Sequence, residues 1–328
     1  MVKKDNRFLI FCPKGVRTGG PEALHQLAYT LIQLERDAYI VYYGNQIEND
    51  AYPEYKIPKI RKANAGKFDI AIAPEVSTWL LTQRAYYKKS IYWLSVDNYI
   101  KTIQAANRNA KTLNRKSDLL KINHFYFNKS FSVDYHLYQS EYAKIFLLKN
   151  LKTRYGKIYP ISDYMPIEYR RETEHYIEKK EDLIAFNPKK LGSFGEKVLK
   201  NIPQKKLVRL EGMSKDQMLQ CLRKCKIYID FGHHPGKDRI PREAAAAGCL
   251  VVVGLRGSAA FYKDVPLADR YKIDMRTENP AVVASDILNM MQDYSSHFGS
   301  TKVIRHEAVQ SKKNFTEEVQ RWIEVESL

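Results

Sequence analysis

Asp230-Phe-Gly-His-His-Pro-Gly-Lys-Asp-Arg-Ile-Pro-Arg-Glu-Ala-Ala-Ala-Ala-Gly-Cys-Leu-Val-Val-Val-Gly254 is the stretch on which the reading of the whole chain depends. It opens on the end of a strand, Lys226-Ile-Tyr-Ile-Asp230, whose β-branched and aromatic residues suit a pleated, half-buried surface. A polar loop rich in glycine and proline follows. Pro241 fits the first helical position, where its missing N–H costs nothing, and the helix is predicted from Arg242 to Ala247. Gly248 is placed to end it. Leu250 to Val253 is an apolar run of the kind shown by a strand buried on both faces. In an α/β sheet the loop of such a strand–helix–strand unit lies at the carboxyl edge, where ligands bind.

The loop and helix carry Lys237, Asp238, Arg239, Arg242 and Glu243, a dense ionic cluster beside an otherwise apolar helix. Arginine forks suit phosphate, and a carboxylate beside a helix start suits two neighbouring hydroxyls. On this segment alone two readings stand. One is a site for a nucleotide carrying phosphate and ribose; the other is a solvated loop with a surface helix.

The run Pro241-Arg-Glu-Ala-Ala-Ala-Ala-Gly-Cys-Leu-Val-Val252 resembles the Glu-Ala-Met-Ala-x-Gly-x-Pro-Val-Val segment of GT-B glycosyltransferases, in particular the retaining family 4. The resemblance implies an α/β fold with two Rossmann-like parallel-sheet domains facing a central cleft, and a last helix that crosses back to the first domain. It also implies that Glu243 holds the ribose of a nucleotide donor. The family's second glutamate, eight positions earlier and in contact with the donor sugar, has no counterpart, because Pro235 stands there.

Length and composition agree with two domains. A chain of 328 residues with 44% hydrophobic residues can bury two cores. The 54 Lys+Arg against 37 Asp+Glu give a formal charge of +17, which favours anionic partners such as nucleic acid, acidic lipid headgroups or phosphorylated substrates. Cys12, Cys221, Cys225 and Cys249 show neither disulfide-framework nor zinc spacing and read as reduced thiols. The basic start Met1-Val-Lys-Lys4 leads into an apolar run, Phe8 to Cys12, too short for a signal peptide. No stretch approaches the roughly 18 apolar residues of a membrane span. The expected location is cytoplasmic, extending to the inner face of the membrane.

In the first half, Arg7 to Cys12 is the opening strand. A loop ending in Gly19-Gly20 precedes a helix whose Leu24, Leu27, Ala28 and Leu31 recur at helical spacing. The glycine pair reads as a simple turn, or as a place where backbone N–H groups approach an anion at the helix start. In GT-B enzymes a Gly-Gly loop at this place faces the donor diphosphate. Further strands are predicted at Ala38–Gly44, Phe68–Ala73, Ser90–Val96, Tyr135–Gln139 and Tyr155–Ile161. Helices are predicted from Ser77 to about Tyr87 and from the Ser140 cap to about Asn150. Asp97, just past the Ser90–Val96 strand, reads either as a helix cap or as a base acting on an acceptor hydroxyl. A basic helical pattern over Lys101–Lys121, followed by His124-Phe-Tyr-Phe127, reads as a contact with anionic lipid or as a solvated face beside core aromatics.

A composition shift around Asp163–Asp182 marks the domain junction. The resulting division is 1–165 for an acceptor-side domain, 166–310 for a nucleotide-sugar domain and 311–328 for the returning helix, with Trp322 as its anchor. In the second half Lys189 and Lys190 follow the first strand, Leu183–Phe186, where a diphosphate would sit. Met213, in the Glu211-Gly-Met-Ser214 loop, is either a base-contacting residue, as the family suggests, or a buried loop methionine.

No P-loop, dinucleotide fingerprint or serine elbow appears, which sets aside ATPase, NAD-enzyme and hydrolase readings. His233 and His234 read as loop histidines rather than metal ligands, or as groups reaching the transferred sugar or a phosphate, and no metal site is expected. The resemblance to GT-B glycosyltransferases implies transfer of sugar from a nucleotide-diphosphate sugar to a glycan or lipid-linked acceptor in polysaccharide or glycoconjugate synthesis. As the resemblance also implies, the expected transfer uses no cofactor and no metal, with Asp97 and Asp238 as candidate catalytic groups. The expected donor contacts are Gly19, Gly20, Lys189, Lys190, Met213, Arg239, Arg242 and Glu243. The expected partners are the nucleotide sugar, the acceptor and the anionic membrane surface, and no nucleic acid, since the basic residues are dispersed and no nucleic-acid module is present. Other readings remain: a sugar-nucleotide epimerase, or a degenerate relative serving as partner subunit or glycan-binding module.

Overall fold

The computed structural model describes residues 6–44, 51–61, 64, 66–112, 124–127, 131–151, 156–169 and 180–328, with backbone alone at 109–112. The chain forms two compact units, one of Met1–Tyr164 with Lys313–Leu328 and the other of Met165–Lys312.

The first unit is built on six parallel strands: β1 (Phe8–Pro13), β2 (Ala38–Tyr43), β3 (Ile70–Pro74), β4 (Lys88–Trp93), β5 (Tyr135–Tyr138) and β6 (Lys157–Pro160). Their order is β2-β1-β3-β4-β5-β6. Alternation along β1 explains its unbroken apolar run. Phe8, Ile10 and Cys12 pack on one face with Leu24, Leu27 and Leu31 of α1 (Gly19–Gln33), while Leu9 and Phe11 pack on the other with Val41, Leu80 and Trp93. A strand covered on both faces has no polar side to show.

The second unit holds five parallel strands: β7 (Glu181–Phe186), β8 (Leu207–Arg209), β9 (Cys225–Asp230), β10 (Leu250–Gly254) and β11 (Lys272–Ile273). Their order is β11-β10-β9-β7-β8. Helices α4 (Gly192–Leu199), α5 (Lys215–Lys224), α6 (Arg239–Ala246) and α7 (Pro280–Gln292) connect them, after α2 (Val96–Thr112) and α3 (Glu141–Asn150) of the first unit. After the short α8 (Tyr294–Phe298), the last helix α9 (Lys302–Glu326) begins in the second unit and ends in the first. There Trp322 is fully buried, edge-on to Phe8 with centroids 6.0 Å apart and to Tyr135 at 5.8 Å. Among the described residues no helix is long and apolar enough to cross a membrane.

Several expectations are corrected. The predicted helix from Ser77 is a 3-10 segment, Glu75–Thr82, in which Ser77 is itself non-helical and donates its hydroxyl to Tyr43 Oη at 2.7 Å. Strand β4 consequently starts two residues early, at Lys88. Helix α2 is capped by Ser95, whose Oγ accepts the Asn98 N–H at 3.2 Å, and not by Asp97. Helix α6 begins at Arg239, so Pro241 lies inside the first turn, where an N–H is still not needed. Gly248 closes that helix at φ 87° with paired bonds, Gly248 N–H to Ala245 O and Cys249 N–H to Ala244 O, as a Schellman motif requires. Lys116 and Lys121 of the predicted basic helix, and Tyr155, lie outside the described residues.

Candidate functional site

The most elaborate cluster lies where β9 ends in the second unit. Asp230 is fully buried; its carboxylate accepts the Tyr228 hydroxyl at 3.0 Å and the Gly232 N–H at 3.1 Å. The loop then turns so that the buried His234 ring sits between two carboxylates, Nε2 lying 3.4 Å from Asp230 Oδ1 and Nδ1 3.1 Å from Asp238 Oδ2. Neither ring nitrogen makes a well-aligned hydrogen bond, so the attraction is chiefly one of charge. Lys190, from the 3-10 turn after β7, donates to the Asp238 carboxylate and to the His233 carbonyl at 2.5 Å.

A second segment clamps the loop from behind. Ser258 is buried, and its N–H and hydroxyl donate to the His234 and Gly236 carbonyls at 2.9 and 2.5 Å. Gly257, at φ 55°, passes so close that a Cβ there would lie 2.0 Å from the His234 carbonyl oxygen. Gly232 is equally confined, since its Cβ would meet Lys190 Cα at 2.7 Å.

Burial opposes protonation of His234, but the two carboxylates outweigh it and raise its pKa to about 9. Burial likewise opposes ionisation of Asp238, and there His234 and Lys190 win and hold the carboxyl below its ordinary value. Two carboxylates thus face one imidazolium and one ammonium. Asp230, His234 and Asp238 have the composition of a metal site. One ligand atom from each lies within 4.8 Å of the others, while the two carboxylates face opposite nitrogens of the ring and pair with its protonated form. The cluster is an ion-pair network.

No family model matches the chain, and no curated protein matches it by sequence. Solved structures match it by shape. HepE from Anabaena, in complex with UDP-glucose, superposes with a TM-score of 0.67 at 12% identity, covering 98% of this chain and 100% of that one. Sucrose-phosphate synthase from Thermosynechococcus elongatus gives 0.63 at 10% identity, covering 98% of each chain. WaaG, a glycosyltransferase involved in lipopolysaccharide biosynthesis, gives 0.55 at 9% identity over 97% of this chain and 98% of that one. This chain has the GT-B fold.

In the second unit of that fold the sequence-derived candidates fall into two groups. Lys189 is exposed and Lys190 half-buried at the β7 loop, and Arg239 opens α6 half-buried. Arg242 and Glu243 are buried instead. Arg242 turns inward, donating from Nε to the Asp238 carbonyl at 3.2 Å and from Nη2 to the Lys237 carbonyl at 3.0 Å. It braces the loop backbone. Glu243 stands beside Tyr169, whose hydroxyl is pushed well above its ordinary pKa by burial and then by that carboxylate. Met213 is 38% exposed, which corrects the buried-methionine alternative.

Gly19, Gly20 and Asp97 belong to the first unit. Gly19 is exposed at the start of α1, where Thr18 supplies no side-chain cap. Asp97 lies in the first turn of α2 and accepts the Tyr142 hydroxyl at 2.6 Å.

Sequence reasoning missed Asp230, His234, Gly257 and Ser258 as members of one network. It also missed Glu307 of α9, whose carboxyl is raised by burial and drawn down again by Lys237 and Arg242. The adjacent histidines were the one visible signal.

Proposed function

We propose that this chain is a glycosyltransferase that moves sugar from a nucleotide-diphosphate sugar to a glycan or lipid-linked acceptor. The observation that carries the reading is the start of α6 in a GT-B second unit. Glu243 is held buried in its second turn, beside a loop fixed by Lys190, Asp238 and Arg242, at the carboxyl edge of a parallel sheet. Glu243 takes the ribose hydroxyls. Lys189 and Arg239 are the groups offered to the diphosphate, and the uncapped start of α1 at Gly19-Gly20 is a candidate anion contact of the first unit. Met213 is offered to the base. HepE, solved with UDP-glucose, makes uridine nucleotides the first donors to try.

Two of the candidate roles change in this reading. Arg242 positions the loop, and Asp238 is the anchor for Lys190 and His234 rather than a free acid or base. Asp97, tied to Tyr142, remains a candidate base on the acceptor side. Lysines and helix starts neutralise the diphosphate, so transfer proceeds without a metal. The charge of +17 supports peripheral contact with an anionic membrane at its cytoplasmic face.

Pro235, in place of a sugar-facing glutamate, favours a second reading, that of a partner subunit without turnover. A thermal-shift screen against UDP, GDP, CDP, dTDP and their sugars decides between them, because a ligand that binds only the folded state raises the melting temperature. The glycosyltransferase reading predicts a shift with one nucleotide, lost in Glu243→Ala, and nucleotide release from the matching sugar. Silence across the screen defeats it.

A further inference from the structure

The aromatic patch that the sequence offers to a lipid surface, His124-Phe-Tyr-Phe127, is largely taken into the first unit. Phe125 is fully buried, its N–H donating to Thr78 Oγ1 at 2.8 Å, and Phe127 stacks on Trp93 with centroids 5.7 Å apart. Among the described residues of this unit the exposed aromatic rings are two others, Phe68 at 63% and Tyr87 at 52%. They stand together. Phe68 precedes β3 and Tyr87 precedes β4, strands that pair from Ile70 and Lys88, and the Tyr87 N–H donates to the Asp69 carbonyl at 2.9 Å. Both rings therefore lie at the amino ends of neighbouring strands, on the sheet edge opposite to the Gly19-Gly20 turn.

Cations surround the rings. Lys67 Nζ lies 5.1 Å from the centroid of Phe68, and Lys88 Nζ 5.4 Å from that of Tyr87. The stretch Lys59-Ile-Arg-Lys-Ala-Asn-Ala-Gly-Lys67 leads into β3 with four cations, and Arg84-Ala-Tyr-Tyr-Lys-Lys89 opens β4 with three; neither holds an acid. The acids at this edge are Asp69, closed on Arg7 at 2.8 Å, Asp134, 3.2 Å from Lys88, and Asp37, which faces Arg7 and Tyr39. Positive charge remains in excess.

Exposed rings flanked by long cationic side chains match a surface that is apolar beneath and anionic on top, as a bilayer is. The rings reach the boundary of the acyl chains, and the lysine stems carry their ammonium groups to the phosphates. A second copy of a chain with a formal charge of +17 would bring like charge to the same edge.

We propose that this amino-terminal edge of the first sheet docks on an anionic lipid bilayer, with Phe68 and Tyr87 entering the headgroup layer and Lys67 and Arg84 meeting lipid phosphates. The proposal deepens the membrane contact inferred above from net charge, and it requires no step of sugar transfer. Docking by this edge leaves the carboxyl ends of the strands, where ligands of a parallel sheet bind, turned away from the lipid.

The test is co-sedimentation of the full chain with phosphatidylcholine vesicles and with mixed phosphatidylcholine–phosphatidylglycerol vesicles. The variants are the pair Phe68→Ser with Tyr87→Ser, the pair Lys67→Gln with Arg84→Gln, and Val282→Ser as a control on α7 of the second unit, where Val282 is 53% exposed. All the altered side chains are exposed, so unchanged melting temperatures are expected. Wild type and the control should bind the mixed vesicles alike, and each double variant should bind at least about tenfold more weakly. Raised salt should weaken wild-type binding. Equal binding to both kinds of vesicle, or double variants that bind as wild type does, overturns the proposal. Wild type that ignores vesicles but captures a single-stranded oligonucleotide, through the same side chains, overturns it in favour of nucleic acid. A UDP melting shift measured in parallel separates the two readings. Vesicle binding absent with the shift present defeats this surface alone; vesicle binding as expected with no shift supports the surface and defeats the donor reading.

Discussion

His234 Nδ1 lies 3.1 Å from Asp238 Oδ2, inside a fully buried ring environment. The imidazolium formed there has a folded-state pKa of about 9 against an ordinary value of 6.5. A pKa raised by folding means that the folded state binds the proton more tightly. The resulting stability is present in full below about 6.5 and is lost as pH rises through about 9. Denaturant unfolding of the full chain should therefore weaken across that window. In His234→Gln the decline should be much smaller. A variant that declines as steeply as wild type would show that other groups set the slope.

Lys180 fixes the opposite side of the second unit. Its Nζ donates to the carbonyls of Leu222, Cys225 and Ala247 at 2.8, 2.9 and 2.8 Å, gathering the ends of α5 and α6 at the start of β9. Burial pulls its pKa down, yet the ammonium is what the three oxygens require. Lys180→Met keeps the stem but takes the ammonium from the Ala247 carbonyl, while the Cys249 thiol still donates to the Leu222 and Cys225 carbonyls at 3.1 and 3.3 Å. The unfolding free energy should drop by about 1–3 kcal/mol. No measurable loss would mean that water replaces the ammonium.

The contrast between Lys180 and α6 shows what the sequence made legible. The α6–β10 unit rests on local rules: a proline within the first turn, small residues along the helix, glycine at the left-handed stop and an apolar run for a strand covered twice. Such features need no knowledge of distant residues. The His234 network joins Lys190, Asp230 and Asp238 through a loop closure, and Ser258 clamps that loop from beyond the next strand. Nothing periodic marks them. Ser77 was misread for a related reason, since its side chain serves Tyr43, a partner 34 residues away, instead of its own helix start.

Trp322 ties the last helix to the first sheet. It is fully buried against Phe8 and Tyr135, and its indole N–H makes no hydrogen bond. Trp322→Ala opens a large cavity and should cost about 3–5 kcal/mol. Trp322→Phe loses less area and also removes the unsatisfied donor, so it should cost clearly less. Calorimetry of both variants checks the order. If the alanine variant unfolds with wild-type stability, the returning helix is not held by this side chain.

Gly257 sets the last test, because two constraints meet there. Its φ of 55° lies in the left-handed region, and a Cβ would approach the His234 carbonyl oxygen to 2.0 Å. Backbone oxygen cannot swing aside as a long side chain can. Gly257→Ala must therefore push the 234–236 loop away from Ser258, breaking the bonds that Ser258 makes to His234 and Gly236. Strain of this kind costs about 1–3 kcal/mol before the clash is counted. If the loop orders a nucleotide site, binding of the nucleotide found by the melting screen should weaken by at least about tenfold, equivalent to about 1.4 kcal/mol. Gly299→Ala is the control: its φ is −59°, and nothing lies within 4 Å of its would-be Cβ. It should bind as wild type does. Equal affinity in the Gly257 variant would separate the clamped loop from nucleotide recognition.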